Sequence, residues 1–284
     1  MSEYTMKSYK SETKVTWCPG CGDFGILNAL YQAFAEMGWD PNNTVVVSGI
    51  GCSSRAPYFF DTYGMHTLHG RALPIATGLK LARQDLNVVV LGGDGDAYSI
   101  GGGHFLHACR KNINLTYIVM DNNIYGLTKG QASPTSDTGF ETNTTPYGTV
   151  EKPLNPVGMA LSVGASFVGR TFAGKIKEMK PMFVEAFKHK GFSYIDVLSP
   201  CVTFNKENTF KFYKSVSEPI GEDHDCKDYM KALVAAHEPD CMKLGVFLNQ
   251  DLPVTDEGIA GQTKSLAMVG NDAEITKSII ESYS

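Results

Sequence analysis

At 284 residues, with 43% hydrophobic and 19% charged residues, the chain can bury one large core or two modest ones. Twenty-five Lys and Arg against 30 Asp and Glu leave a formal charge of -5, which argues against a surface built to neutralise nucleic-acid phosphates. No apolar run approaches the roughly 18 residues of a membrane helix, and the polar start MSEYTMKSYKSE lacks a signal-peptide core, which predicts a cytoplasmic protein with no membrane contact. Seven cysteines, two of them in Cys18-Pro-Gly-Cys21, suit metal or redox chemistry better than a disulfide framework.

After an irregular entry over 9–16 and the cysteine pair, apolar spacing predicts a helix over 26–37. The β-branched run TVVVS (44–48), bounded by Pro41-Asn42-Asn43 and Gly49-Ile50-Gly51, predicts a buried parallel strand ending in a functional loop. A helix over 72–86, a strand over 87–92, a helix over 103–110 and a strand over 115–120 follow. Residues 131–156, rich in Ser, Thr, Pro, Gly and Asn, read as a long ordered loop covering a site. Beyond it come a short helix and strand within 159–168, a helix over 176–189 and a last core strand over 192–198. Strands and helices alternating in this way predict an α/β fold, a doubly wound and mostly parallel sheet with its chemistry in the loops after the strands. Two regions are expected: an α/β domain over 1–210 and a more polar C-terminal extension over 211–284, packed on that domain or on a partner, whose tail beyond 245 carries no functional signal.

Residues 92–96 read Gly-Gly-Asp-Gly-Asp directly after one apolar strand, and Asp121-Asn122-Asn123 directly follows the next. A diphosphate held through a divalent ion needs a carboxylate, neutral oxygen ligands at adjacent strand ends, and glycines that let backbone N–H groups approach. Asp94, Asn122 and the backbone carbonyl of Ile124 meet that need. Alone, Gly-Asp-Gly-Asp is also an ordinary strand-ending turn; its pairing with the Asn-Asn loop one helix and one strand later is what favours the metal reading.

The strings GDGDAYSIGGGHF and DNNIYGLTKGQASPTS resemble the thiamine diphosphate motif, and in this wording the beta subunit of 2-oxoacid:ferredoxin oxidoreductases, over roughly residues 14 to 210. The resemblance implies a thiamine diphosphate-binding domain in which Asp94, Asn122 and the Ile124 carbonyl hold Mg2+. It also implies cofactor contacts from Ile50, Gly51, Cys52, Ser53, His69, Gly95, Asp96, Gly126 and Leu127.

Cys18-x-x-Cys21 by itself is compatible with zinc, a redox pair or an iron–sulfur centre. A four-sulfur site needs two more ligands from Cys52, Cys109, Cys201, Cys226 and Cys241. Cys52 and Cys201 follow strands on the edge that bears GDGD, whereas Cys109 falls within a helix and reads as a small buried hydrophobe. The resemblance selects the same four, Cys18, Cys21, Cys52 and Cys201, as ligands of a [4Fe-4S] cluster, with Cys226 and Cys241 as bystanders.

Arg55 and Lys129 lie in the cofactor-facing loops, where a second substrate carboxylate needs a cation; this favours 2-oxoglutarate over pyruvate. His66 and His69 are candidates for cofactor contact or proton transfer, and only His69 is carried by the resemblance. Thiamine catalysis also needs a glutamate on the aminopyrimidine ring, normally from a second domain, and no second strand–helix array is visible in the chain. The expected partner is an alpha, or fused gamma-alpha, subunit in an (αβ)2 heterotetramer that passes electrons to ferredoxin. The expected reaction is coenzyme A-dependent oxidative decarboxylation of a 2-oxoacid to acyl-CoA and CO2. Competing readings are a pyruvate-preferring or broad-specificity member of the same family, a non-oxidative thiamine lyase with structural zinc, and a bare electron carrier.

Overall fold

The computed structural model describes residues 3–239, 241–255 and 273–283. Its frame is one eight-stranded sheet in the order β2-β1-β3-β4-β8-β7-β10-β9. In chain order the elements are α1 (Asp23–Met37), β1 (Thr44–Ser48), β2 (Tyr63–His66), α2 (Ala72–Ala82), β3 (Asn87–Gly93), α3 (Gly102–Lys111) and β4 (Leu115–Asp121). They continue with a small hairpin, β5 (Ile124–Tyr125) and β6 (Gln131–Ala132), then α4 (Pro156–Ser162), β7 (Phe167–Phe172), α5 (Ile176–Lys188) and β8 (Phe192–Leu198). Last come α6 (Phe210–Val216), β9 (Ser217–Pro219), α7 (Tyr229–Ala236), β10 (Met242–Asn249) and α8 (Ala273–Ser282). The six strands from β2 to β7 run parallel, β10 pairs antiparallel with β7, and β9 runs parallel to β10.

The apolar runs become central strands because both faces of the sheet are covered. Alternation assigns Val45, Val47, Val88, Val90, Tyr117 and Val119 to a layer completed by α2, α3, α4 and α7. Their neighbours Val46, Val89, Leu91, Ile118 and Met120 belong to the layer under α1 and α5. Helix α1 stops at Gly38, whose φ of 63° closes the turn as its N–H bonds the Ala35 carbonyl. Among the described residues, no helix is long and apolar enough to cross a membrane.

The α/β reading of the sequence holds, with differences at boundaries and edges. The helix expected over 72–86 ends at Ala82, because Lys80 Nζ donates to the carbonyls of Gln84 and Leu86 and draws the chain into the next strand. The strand expected within 159–168 starts at Phe167, because Gly164 turns the chain at φ 83° and the Ala165 N–H bonds back to Ala160. The strand over 192–198 is not the last in the core: β10 follows and buries Phe247 and Leu248. Its signal is masked by Lys243, by Gly245 at φ 147° and by the break in register between Val246 and Leu248. Strand β2 leaves no periodic signal in the sequence because it is an edge strand with all four residues exposed, so no buried face imposes a period.

Beneath the sheet's carboxyl edge, Arg170 Nε donates to Asp196 Oδ2 at 2.8 Å, with both side chains buried. The other oxygen of Asp196 is buried without a partner, so removing the guanidinium leaves the carboxylate uncompensated. Arg170→Met is expected to cost about 3–5 kcal/mol in urea denaturation, and a companion Asp196→Leu change is expected to recover much of that loss.

Candidate functional site

Loops leaving the carboxyl ends of β1, β3, β4 and β8 enclose two adjoining cavities. The larger, about 540 Å³, is walled by Ile50, Gly51, Cys52 and Ser53 after β1, by Gly93 to Asp96 after β3, and by Asn122, Ile124 and the segment from Tyr125 to Thr128 after β4. His69 and Gln131 complete the wall. Every residue expected to touch the cofactor or its metal ion lines this cavity. The parallel register makes this possible, because β1, β3 and β4 all end at the same edge.

Three aspartates at this edge, Asp94, Asp96 and Asp121, are buried, and their hydrogen-bond partners among the described residues include no Lys or Arg. Asp94 Oδ2 accepts from the hydroxyls of Ser133 and Thr135, the latter at 2.9 Å. The same Thr135 hydroxyl stands 2.8 Å from Asp121 Oδ1, so its single proton serves one carboxylate at a time. Burial pushes the carboxyl of Asp121 well up, and the negative charges of Asp94 and Asp196 push it further. Burial also raises Asp94, against the pull of the two hydroxyls. Asn122 Oδ1 accepts from the Ile124 N–H at 3.1 Å in a tight turn that sets Asn122 and Ile124 side by side. One carboxylate, one side-chain carbonyl and one main-chain carbonyl form a hard-oxygen donor set suited to Mg2+.

Glycine is required where this wall is thinnest. A Cβ at Gly95 would lie 2.1 Å from the Tyr125 ring, whose hydroxyl donates to the Gly95 carbonyl at 3.2 Å. A Cβ at Gly49 would lie 2.0–2.4 Å from the Asp96 carboxylate.

The smaller cavity, about 220 Å³, is ringed by Cys18, Cys21, Cys52 and Cys201, the four cysteines singled out from the sequence. Three chain segments are tied together around it. The Cys21 N–H bonds the Cys18 carbonyl at 3.0 Å, the Gly22 N–H bonds the Pro200 carbonyl at 3.2 Å, and Trp17 Nε1 donates to the Cys52 carbonyl at 2.6 Å. Gly126 separates two of the sulfurs, since a Cβ there would stand 3.6 Å from Cys52 Sγ and 3.8 Å from Cys201 Sγ. Among the described residues, no three His, Cys, Asp or Glu side chains stand close enough to hold one metal ion. Burial pushes the Cys52 thiol up to about 11, and burial with Asp23 pushes Cys21 higher still. Of the remaining cysteines, Cys109 is buried in α3, and Cys226 and Cys241 are half-buried away from both cavities.

Arg55 and Lys129 line the thiol cavity and not the larger one. The two cavities share Cys52, Asn122, Gly126 and Leu127, so both cations stand behind that common wall. His66 points elsewhere: its Nδ1 lies 2.7 Å from the Ser54 carbonyl and 3.1 Å from Ser48 Oγ, a structural role.

Sequence reasoning missed Tyr125, Thr128 and Gln131 on the wall, Ser133 and Thr135 behind Asp94, and Asp23 behind Cys21. Asp23 is fully buried, accepts from Ser199 Oγ at 2.7 Å through one oxygen and leaves the other unpartnered. Ser133 and Thr135 were legible in the ASPTS string only by asking which hydroxyls could satisfy a buried Asp94.

Residues 49–197 match the thiamine pyrophosphate enzyme C-terminal TPP binding domain, and residues 201–264 match the C-terminal part of the pyruvate ferredoxin oxidoreductase beta subunit. The chain is 52% identical to a 2-oxoacid:ferredoxin oxidoreductase beta subunit of a Sulfolobus species over 199 residues, which is 69% of this chain but 65% of that protein. Against the corresponding subunit of Saccharolobus solfataricus, identity is 45% over 255 residues, covering 85% of this chain and 84% of the relative. The 2-oxoglutarate oxidoreductase subunit KorB of Mycobacterium tuberculosis is 50% identical over 199 residues, 70% of this chain and 53% of that one. A solved structure of 2-oxoglutarate:ferredoxin oxidoreductase from Magnetococcus marinus, with 2-oxoglutarate, coenzyme A and succinyl-CoA bound, superposes with a TM-score of 0.92 at 49% identity, covering 98% of this chain and 97% of that one.

The fully buried Asp23 has its carboxyl raised from 3.8 to about 6 by burial, against hydrogen bonds from Ser199 and Cys21. The folded state therefore binds more protons than the unfolded one between those values, and stability falls as pH rises through that window. Asp23→Asn is expected to flatten this pH dependence in urea unfolding of the metal-free protein.

Proposed function

The chain belongs to the beta subunits of 2-oxoacid:ferredoxin oxidoreductases, and we propose that it supplies the thiamine diphosphate, Mg2+ and [4Fe-4S] sites for coenzyme A-dependent oxidative decarboxylation of a 2-oxoacid, with 2-oxoglutarate favoured. The observation that carries this reading is the pair of adjoining cavities with a common wall, one lined by the Mg2+-type oxygen donors and the other ringed by four thiols. When bound, thiamine diphosphate supplies the carbon nucleophile and electron sink for decarboxylation, and the cluster supplies a one-electron acceptor.

The chain's own residues prepare both sites. Asp94, Asn122 and the Ile124 carbonyl are assigned to Mg2+. Ile50, Gly51, Cys52, Ser53, His69, Gly95, Asp96, Gly126 and Leu127 form the bed for the cofactor. Glycines 49 and 95 let the wall close to distances that no side chain permits. Ser133 and Thr135 hold Asp94 by one oxygen and so fix its orientation.

Cys18, Cys21, Cys52 and Cys201 are assigned to the cluster. A single tetrahedral zinc needs its sulfurs about 2.3 Å from one point, whereas these thiols surround a cavity, which supports a multi-iron centre. Cys52 belongs to both walls, together with Asn122, Gly126 and Leu127, so the two sites would be neighbours. Burial makes the Cys21 and Cys52 thiols reluctant to ionise on their own, so metal must displace their protons and assembly is coupled to proton release.

Arg55 and Lys129 are assigned to the distal carboxylate of a dicarboxylic substrate. Among the described residues, no glutamate lines the larger cavity; the reading assigns the glutamate of thiamine catalysis to an alpha, or fused gamma-alpha, subunit in an (αβ)2 heterotetramer. Ferredoxin is the electron acceptor and the compartment is the cytoplasm.

Three measurements test the assignment. Anaerobically purified protein is expected to be brown, with visible absorption bleached by dithionite and stoichiometric iron; a colourless protein carrying zinc would overturn the cluster. Asp94→Ala is expected to abolish thiamine diphosphate binding in calorimetry and leave that absorption intact, which a bare electron carrier would not show. In the complex with its partner subunit, Arg55→Ala is expected to lower 2-oxoglutarate turnover relative to pyruvate by roughly 10-fold or more, the scale of a lost charge-assisted hydrogen bond; an unchanged ratio would remove Arg55 from substrate recognition.

A further inference from the structure

The larger cavity has an unusual charge balance for a diphosphate site. Its ionisable walls are Asp94, Asp96, His69, Tyr125 and Cys52, with no Lys or Arg among the described lining residues. A diphosphate brings further negative charge to a place already holding two carboxylates, and Mg2+ offsets only part of it. Among those lining residues, His69 is the one basic side chain.

Asp96 lines the cavity, and both of its oxygens are taken up or enclosed by the protein itself. Its Oδ1 collects three donors: the Ile50 N–H at 2.8 Å, the Gly70 N–H at 2.8 Å, and His69 with Nδ1 at 2.9 Å. Its Oδ2 is buried without a partner against Gly49 and Gly92, where a Cβ at either glycine would lie 2.0 Å and 3.3 Å away. The carboxylate is thus clamped with one oxygen facing the imidazole, and Nδ1 must carry a proton to meet it. That leaves Nε2 as the ring atom available to a ligand, on a side chain still 37% exposed.

We propose that Asp96 is a positioning residue that holds His69 as the cation of the cofactor cavity, with Nδ1–H on the carboxylate and Nε2–H offered to the diphosphate. The proposal rests on the thiamine diphosphate reading and deepens it. The groups facing the ring are Asp96 from the turn after β3 and Tyr125 from β5, the latter with ring centroids 6.2 Å apart. From the ring's own segment, Arg71 is held off by bonds from Nη1 to the carbonyls of Gly70 and Ile100. Asp94 lines the same cavity. Clamped by Asp96, the ring turns its other nitrogen away from the fold, where a bound diphosphate can take it as a donor.

The test uses the complex with its partner subunit, stripped of thiamine diphosphate and titrated with it in calorimetry at saturating Mg2+. Asp96→Asn, which retains an acceptor for Ile50 and Gly70 but lacks the charge, is expected to bind roughly 10- to 100-fold more weakly, the scale seen when a supporting carboxylate is removed. His69→Gln is expected to lose a similar factor, and the two substitutions together are expected to cost little more than either alone, because both remove one unit. Nitrogen-labelled histidine NMR of the unsubstituted protein is expected to show both ring nitrogens of His69 protonated in the bound state, a readout needing no variant. A neutral His69 with cofactor bound, or variants matching the wild-type affinity, would overturn the proposal while leaving Asp94-dependent cofactor binding in place. Failure of the unsubstituted complex to bind thiamine diphosphate at all would overturn this proposal and the functional reading together.

Discussion

Burying three carboxylates at one sheet edge without a lysine or arginine bonded to them is the constraint around which the rest of the site is arranged. Asp94, Asp96 and Asp121 follow or end adjacent parallel strands, so their separation is set by the strand spacing and cannot relax. An unpaired buried charge costs several kcal/mol at least, so each carboxylate must be met by donors from elsewhere in the chain. Asp96 is met by Ile50, Gly70 and His69, and Asp94 and Asp121 by Ser133, Thr135 and Asn123. The long loop after β6 is therefore folded back by the need to bring hydroxyls to Asp94. The chain after β2 is held against the sheet for the same reason. Raised carboxyls that face a cavity of hard-oxygen donors also form a place where a divalent cation is welcome.

The thiol cavity applies the same logic with opposite chemistry. Main-chain hydrogen bonds draw together segments distant in sequence, the cysteine loop at 17–22, the turn at 52 and the turn at 199–201, before any metal is considered. Burial and the nearby Asp23 then raise the thiols of Cys21 and Cys52. Because Cys52, Asn122, Gly126 and Leu127 belong to both cavities, the two cavities share one wall.

Much of this was readable from sequence where chemistry sits directly after a strand. GDGD after β3, Asp121-Asn122-Asn123 after β4, Ile50-Gly51-Cys52 after β1 and Cys201 after β8 all announced themselves, because a buried parallel strand is an apolar run and its end is marked by glycine or a polar residue. The elements missed were those with no buried face to imprint a period, β2 at the exposed edge, or an interrupted one, β10 with its glycine and shifted register.

By itself, the sequence determined the fold class, the strand ends that carry the site, and the two kinds of donor, oxygen and sulfur, because all of these are written in short runs of neighbouring residues. Tertiary structure alone decided how those donors are supported and separated. It placed Arg55 and Lys129 on the thiol cavity, engaged His66 with the Ser54 carbonyl, and set His69 against Asp96 with Ser133 and Thr135 behind Asp94. These pairings join residues dozens of positions apart, and they arise because a buried charge takes its donors from whichever segment the packing brings within reach. Local periodicity carries no record of that choice.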